Sequence, residues 1–203
     1  ITITPVNDAP TVSSLNVSTN EDSPVTINLS GTDVDRDALT SAITEATHGT
    51  LSQDGAVVVY TPESNYNGED SFTYTASDGE LTSEVATVTI TVNAVNDAPT
   101  TSNKTTTVVE QVSSEITLQA SDADGDNLTY SIVQQPSNGT GTVSGSTLTY
   151  VSTSDTATSD VITYKVNDGT VDSNVSTITI TITPVNDAPT VSSLNVSTNE
   201  DSP

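Results

Sequence analysis

The feature that most constrains this chain is its repetition of itself. Val-Asn-Asp-Ala-Pro-Thr occurs at Val6–Thr11, Val95–Thr100 and Val185–Thr190, first 89 and then 90 residues apart. Other positions keep step. Glu21 maps to Glu110, Asp33 to Asp122, Asp35 to Asp124 and Leu39 to Leu128 at the shorter offset. Gly49, Tyr60, Tyr74 and Asp78 map to Gly139, Tyr150, Tyr164 and Asp168 at the longer one. A one-residue insertion near Gln134–Ser137 accounts for the switch and is expected in a loop. Self-similarity at a fixed period means stacked structural units rather than one large core. A second period of 179 residues is present, because Ile1–Pro24 is identical to Ile180–Pro203. The parent protein is therefore expected to copy a two-repeat cassette. The chain begins mid-strand and contains no Met, as an excised piece of it would.

Within each repeat the hydrophobic pattern has period two. Thr87–Val92 and Thr177–Ile182 alternate Thr with Val or Ile, which puts one apolar face on each segment. Val25–Leu29, Val57–Thr61 and Phe72–Ala76 read the same way, as do Ile116–Leu118, Thr147–Val151 and Ile162–Val166. Short strands separated by Asn, Asp, Gly and Pro clusters predict an all-β fold of tandem seven-stranded immunoglobulin-like sandwiches. The predicted boundaries are residues 1–10 for the end of a preceding repeat and its linker, 11–94 for the first repeat and 95–100 for a linker. Residues 101–184 form the second repeat, and 185–203 a further linker and the start of the next repeat. Apolar residues are only 32% of the chain, a level that with high net charge marks disorder, but the strict alternation decides for folded strands. No apolar run approaches a membrane span.

Charge narrows the function classes. Asp and Glu number 27 against three Lys and Arg, giving −24 at pH 7. Such a surface repels nucleic-acid phosphates and anionic leaflets, so neither nucleic-acid binding nor direct membrane insertion is expected. With no Cys, disulfide frameworks and thiolate metal sites are excluded. His48 is the sole His, and Asn138 takes its place in the second repeat, so a structural or solvent-exposed role is expected. A Ser-His-Asp or Cys-His arrangement has no convincing basis. The chain is not expected to be an enzyme. Carboxylate pairs can hydrolyse glycosides, but here they recur with every repeat and sit on linkers. Tyr60, Tyr74, Tyr150 and Tyr164 fall in strands and are read as packing residues rather than a sugar-stacking platform. The Asn-x-Ser/Thr triplets at Asn16, Asn28 and Asn127 follow from composition.

Too few basic residues exist to neutralise the carboxylates, so cations are the natural partners. Four acidic elements recur: the Asn-Asp linker, a Glu near the first strand, an Asp-x-Asp loop and an Asp-Gly loop. Sandwich loops gather at two ends. The strand order is read as placing the Asp-x-Asp loops (Asp33, Asp35; Asp122, Asp124) toward the preceding repeat. The Glu and the Asp-Gly loop are read as facing the following one. Around Asn96–Asp97 this assembles Glu21, Asp78, Glu80, Asp122 and Asp124, the fullest set in the chain. Asn7, Asp8, Asp33 and Asp35 mark the preceding linker, and Glu110, Asp168, Asn186 and Asp187 the following one. An all-oxygen, carboxylate-rich set suits Ca²⁺ with six to eight ligands better than Mg²⁺. The competing reading is turn chemistry, since Asp, Asn and Gly populate turns without binding anything. Asp37 and Asp126 are equally third ligands or solvated charges. An EF-hand loop is excluded: counted from Asp122, positions 6 and 12 hold Asn127 and Val133, and counted from Asp33 they hold Ala38 and Thr44.

The Asn-Asp-x-Pro linker, the Glu soon after it, Asp-x-Asp followed by Asn127–Ile132, and the Asp-Gly turn together resemble cadherin-type repeats. Asn65–Tyr74 resembles the bacterial cadherin-like or immunoglobulin-like repeat of large secreted, RTX-type adhesins. The resemblance covers both repeats. It implies inter-domain Ca²⁺ that rigidifies a rod, an extracellular cell-surface location on a bacterium, and a role in adhesion. It places Asp78 and Glu80 where the family's Asp-Arg-Glu supplies ligands, and Asn96 and Asp97 on the family's linker ligands. Ala94, Ala98 and Thr170 depart from the pattern and imply fewer or weaker ions than in vertebrate cadherins. The expected partners are calcium ions and neighbouring repeats of the same chain. Two roles follow: an extender that projects a distal binding domain, or a module that itself binds a cell-surface protein or glycan, homophilically or otherwise. Identical cassettes favour the extender, because copying sets length.

Overall fold

A computed structural model describes residues 6–189, 191–197 and 200. The identical start and end of the cassette at 1–5 and 201–203 lie outside the described residues. The chain divides into two compact units, Ile1–Asp97 and Ala98–Pro203. Among the described residues no helix is long and apolar enough to cross a membrane.

Unit 1 contains β1 (Thr11–Val12), β2 (Leu15–Asn20), β3 (Val25–Asn28), β4 (Gly31–Thr32), β5 (Thr40–Ile43), β6 (Gly49–Asp54), β7 (Val57–Pro62), β8 (Gly68–Ser77) and β9 (Ala86–Asn93). A four-stranded sheet runs β2-β9-β8-β5 and a three-stranded sheet β3-β7-β6, with a short β1-β4 pair beside them. Strand β2 is parallel to β9, in register from Leu15 opposite Val88 to Asn20 opposite Asn93. The other pairings are antiparallel. Unit 2 repeats this with β10 (Thr100–Thr101), β11 (Lys104–Val109), β12 (Ser114–Thr117), β13 (Ala120–Ser121), β14 (Thr129–Gln134), β15 (Gly139–Ser144), β16 (Thr147–Ser152), β17 (Ser159–Asn167) and β18 (Ser176–Thr183). Its sheets run β11-β18-β17-β14 and β12-β16-β15. Each unit is thus a seven-stranded sandwich.

Alternation builds the core. Val88, Ile90 and Val92 on β9 pack against Ile27, Leu29, Val58, Tyr60, Phe72 and Tyr74, while the intervening Thr residues face outward or lie half-buried. In unit 2, Ile178, Ile180 and Ile182 meet Ile116, Leu118, Leu148, Tyr150, Ile162 and Tyr164. The four strand tyrosines are core residues, and each hydroxyl has partners. Tyr74 donates to the Ser13 and Ser30 carbonyls (2.7 and 3.2 Å), which ties the first strand to the second sheet's edge. Tyr164 repeats this with Ser102 and Gln119.

Tyr60 instead donates to Asp70 (2.9 Å), a carboxylate only 5% exposed. Asp70 also accepts the N–H groups of Thr47, His48 and Ser71 at 2.8–3.0 Å. Asp160 holds Ser137, Asn138, Val161 and Tyr150 in the same way. Each latch fastens the turn after the edge strand, β5 or β14, of its large sheet. Gly49 and Gly139 follow these turns, and a Cβ at either would lie 2.3–2.8 Å from the tyrosine ring and the neighbouring carbonyl. His48 stacks on Tyr66 with centroids 4.2 Å apart and lies 3.6 Å from Glu63, a surface packing role.

The inserted residue is in a strand rather than a loop. In unit 1, Thr44 N–H donates to the Thr73 carbonyl immediately after β5. In unit 2, Ile132 faces Tyr164 and Gln134 faces Thr163, leaving Val133 as the extra residue of a bulge. A bulge absorbs one residue on an edge strand without moving the core register. Val133 accordingly points out, 52% exposed.

Candidate metal-binding ends of each unit

In unit 1 the chain enters beside two loops. Asp33, Asp35 and Asp37 in the β4–β5 loop each offer a carboxylate oxygen within 4.8 Å of the others. Asp33 Oδ1 accepts the Asp35 N–H (2.8 Å), which curls the loop inward. Asp33 Oδ2 is buried without a hydrogen-bond partner. The entering segment docks here: Asp8 N–H donates to Asp35 Oδ2, and Asn7 Nδ2 to Asp78 Oδ2, both at 2.9 Å. Val6, Asn7, Asp35, Asp37, Asp78 and Glu80 line one open recess. Asp78 Oδ1 accepts the N–H groups of Glu80 and Leu81 at 2.7 Å. The Leu81 amide, then Asn7 and the Glu80 amide, hold its carboxyl below the usual carboxylate range. Ser83, itself buried, anchors this turn by accepting from Ala76 N–H and donating to the Glu84 carbonyl.

These contacts correct the expected placement of Asp78 and Glu80. They sit at the entry end with Asn7 and Asp35, and not with Glu21 beside Asn96–Asp97. The reason is strand parity. The β8–β9 loop is separated from the β4–β5 loop by an even number of strand traverses, so both open at one end. The turn after β2 lies an odd number away, because β3 and β4, separated only by Leu29 and Ser30, make one traverse.

Glu21 occupies that turn, at the exit end. It is 3% exposed, and Oε1 accepts the Val95 N–H while Oε2 is buried without a hydrogen-bond partner. Its own N–H bonds the Asn93 carbonyl, so side chain and backbone both grip the departing chain. An Asp97 carboxylate oxygen lies within 4.8 Å of the Glu21 carboxylate. Asn96 Nδ2 donates to the Asp97 carbonyl (3.1 Å).

Unit 2 has the same two ends. Asp122, Asp124 and Asp126 cluster within 4.8 Å, and Asp122 Oδ2 is buried without a hydrogen-bond partner. Asp126 N–H donates to Asp122 Oδ1 (3.1 Å). Asp168 Oδ1 accepts from Thr170 and Val171, as Asp78 does from its own loop, so Asp168 too sits at the entry end of its unit and not, as expected, beside Asn186–Asp187. At the exit, Glu110 is 3% exposed; Oε2 accepts the Val185 N–H (2.9 Å) and Oε1 is buried without a hydrogen-bond partner. Asp155 and Asp187 bring carboxylate oxygens within 4.8 Å of it. Asn186 Nδ2 donates to the Asp187 carbonyl.

Asp155 was not among the residues expected from sequence. The second repeat alone carries a carboxylate there, with Asn65 as its counterpart, so comparing the repeats conceals it. Counting traverses would have found it, since the β16–β17 loop shares the exit end. Within unit 2, Asp155 adds a carboxylate to Glu110 and Asp187 beside Asn186. Asp37 and Asp126 are in the clusters geometrically.

An ionised carboxylate buried with one oxygen unsatisfied is costly unless a cation or donor meets it. Four such oxygens, on Glu21, Asp33, Glu110 and Asp122, all belong to the acidic clusters. The donor set is entirely oxygen, and it fits a hard divalent cation.

Residues 7–91 and 96–181 each match the family model of the bacterial Ig domain. Integrin beta-like protein A of Dictyostelium discoideum is 30% identical over 213 residues, an alignment that covers 84% of this chain and 11% of that protein. The first two extracellular domains of human mucin-like protocadherin superpose with a TM-score of 0.51 at 19% identity, over 85% of this chain and 96% of theirs. Those of human protocadherin-24 give 0.50 at 15% identity, over 89% and 100%. These structures share the fold.

Proposed function

The chain belongs to the bacterial Ig domain family, two copies in tandem, and on that premise we propose that it is a calcium-stiffened spacer of an extracellular adhesion protein. The observation that carries the reading is the pair of buried exit carboxylates, Glu21 and Glu110, each with one oxygen on a backbone amide and the other unsatisfied beside a linker Asp. An ion bridging Glu21 to Asp97, or Glu110 to Asp187, fastens the departing linker to the body of its own unit. That removes freedom from the segment leading to the next repeat. Asn7, Asp8, Asp33, Asp35 and Asp78, with Glu80, and likewise Asp122, Asp124 and Asp168, supply oxygen at the entry ends. An extender role suits the 179-residue duplication, and the likeness to an integrin beta-like protein supports an adhesive parent.

Calcium stabilises by mass action, because an unfolded chain does not gather these ligands. With a dissociation constant on the order of 10⁻⁴–10⁻³ M, 5 mM Ca²⁺ contributes about 1–2 kcal/mol per site. For a ~90-residue unit that raises the melting temperature by ~4–16 °C. Calorimetry and small-angle scattering in calcium and then in chelator test the reading. Higher melting and a narrower distribution of lengths are expected with calcium. Superimposable melting and scattering curves in the two conditions reject it.

A further inference from the structure

The dipeptide Asn-Gly occurs at Asn67–Gly68 and at Asn138–Gly139, and the fold holds the two copies differently. Glycine is required in both. Gly68 opens β8 at φ 138°, a conformation that L side chains rarely adopt. Gly139 opens β15, where a Cβ would lie 2.5 Å from the Val151 carbonyl oxygen. A glycine has no side chain to shield its amide nitrogen, so the asparagine before it faces an accessible nucleophile. The asparagines themselves are what differ. Asn138 is half-buried, and it donates Nδ2 to the Ser159 carbonyl (3.0 Å) and its N–H to Asp160 Oδ2 (2.9 Å). Its carbonyl accepts the Thr153 N–H at 2.9 Å, so backbone and side chain are pinned together. Asn67 is exposed, and among the described residues its side-chain amide has no hydrogen-bond partner. It lies in the loop between β7 and β8, bracketed by the hydrogen bond that the Tyr66 hydroxyl donates to the Glu69 carbonyl (2.7 Å).

The geometry points to Asn67 as a site of spontaneous modification, where the amide converts to isoaspartate and aspartate while Asn138 stays intact. The Gly68 nitrogen gives its proton to solvent and bonds to Asn67 Cγ. The Cγ–Nδ2 bond breaks and ammonia leaves with a proton, which closes a succinimide ring. Water then opens the ring. Attack at Cγ gives aspartate, and attack at the main-chain carbonyl carbon gives isoaspartate, whose backbone path is longer by a methylene. Water is the only co-reactant. Asn138 has to release Ser159 and Asp160 before its Cγ can swing onto the Gly139 nitrogen. The product adds a negative charge in unit 1 alone, and isoaspartate lengthens the loop that carries Tyr66 and its stack on His48. The inference is independent of the calcium reading.

Peptide mapping by mass spectrometry tests it, on the 203-residue chain kept in warm, mildly alkaline buffer with chelator. The peptide holding Asn67 should become heavier by the difference between water and ammonia and separate into two isomers. Its rate should exceed that of the Asn138 peptide by about tenfold or more, the factor that corresponds to the bonds Asn138 must release. In urea, which frees Asn138, the two rates should converge. Asn67→Gln, at an exposed loop position, should remove the fast event and leave melting unchanged. Equal rates in the folded chain overturn the inference. So does a rate ratio that persists in urea, because local sequence and not the fold would then set it.

Discussion

Tyr150 and Asp160 allow a prediction worked from individual contacts. The Asp160 carboxylate, 4% exposed, accepts Ser137 and Val161 N–H on Oδ1, and Asn138 N–H and Tyr150 O–H on Oδ2, at 2.9–3.0 Å. Tyr150→Phe removes one hydrogen bond to a charged acceptor and almost no volume. It should cost about 1.5–3 kcal/mol, the range for such a bond, with Oδ2 still served by Asn138. Asp160→Asn costs more, about 3–5 kcal/mol, because an NH₂ then faces an amide donor and two charge-assisted bonds are lost. The substitutions share one contact, so the double variant should be less destabilised than their sum by about 1 kcal/mol. Urea denaturation in chelator measures this, with a midpoint shift of ~1–2 M for the phenylalanine variant at the slope of a small domain. The same contact sets an alkaline signature. Burial first, and then Asp160, push the Tyr150 hydroxyl up to about 12. A raised value contributes stability that is intact below the unfolded value near 10 and lost as pH climbs through 12. The deficit of Tyr150→Phe should therefore shrink across that window. A deficit below about 0.5 kcal/mol, or strictly additive variants, would refute the latch.

Further outcomes follow from other contacts. Glu110→Gln should leave unit 2 as stable or more stable in chelator, since it removes a buried carboxylate oxygen without a partner, while abolishing that unit's exit response to calcium; differential scanning calorimetry reads both. Gly139→Ala should destabilise by about 2 kcal/mol or more, because the added Cβ would lie 2.5 Å from the Val151 carbonyl oxygen and 2.6 Å from the Tyr150 ring. Circular dichroism melting checks it. Burial raises the Asp70 value, but hydrogen bonds from Thr47, His48, Ser71 and Tyr60 outweigh it and leave the carboxyl lowered. The stability it contributes is present above the ordinary carboxylate range and lost as pH falls through the lowered folded value, which an acid titration of unfolding should show.

The strand alternation, the repeat period and the acidic residue types are properties of the one-dimensional pattern, and they were legible as such. Val88, Ile90 and Val92 have to share a face because successive side chains in a strand point to opposite sides. Tyr60 and Tyr150 have to sit at equivalent places because the repeat keeps step. The grouping of loops was not legible to the same degree. It depends on how many times the chain crosses the sandwich between two loops, and a difference of one traverse separates the exit end from the entry end where Asp78 and Glu80 sit. Nor does the pattern reveal that Val133 is absorbed as a bulge, since a loop residue would alter the spacing identically.

The sequence by itself determined a tandem all-β chain, rich in carboxylates that its three basic residues cannot neutralise, because periodicity and composition do not depend on three-dimensional arrangement. Only tertiary structure decided which carboxylates meet. Asp155 lies 45 residues from Glu110 and resembles an ordinary loop residue until antiparallel strands return its loop to the exit end. Burial likewise belongs to the fold: Glu21 and Glu110 are two of many acids in sequence, and packing is what leaves each with an oxygen that no hydrogen bond satisfies.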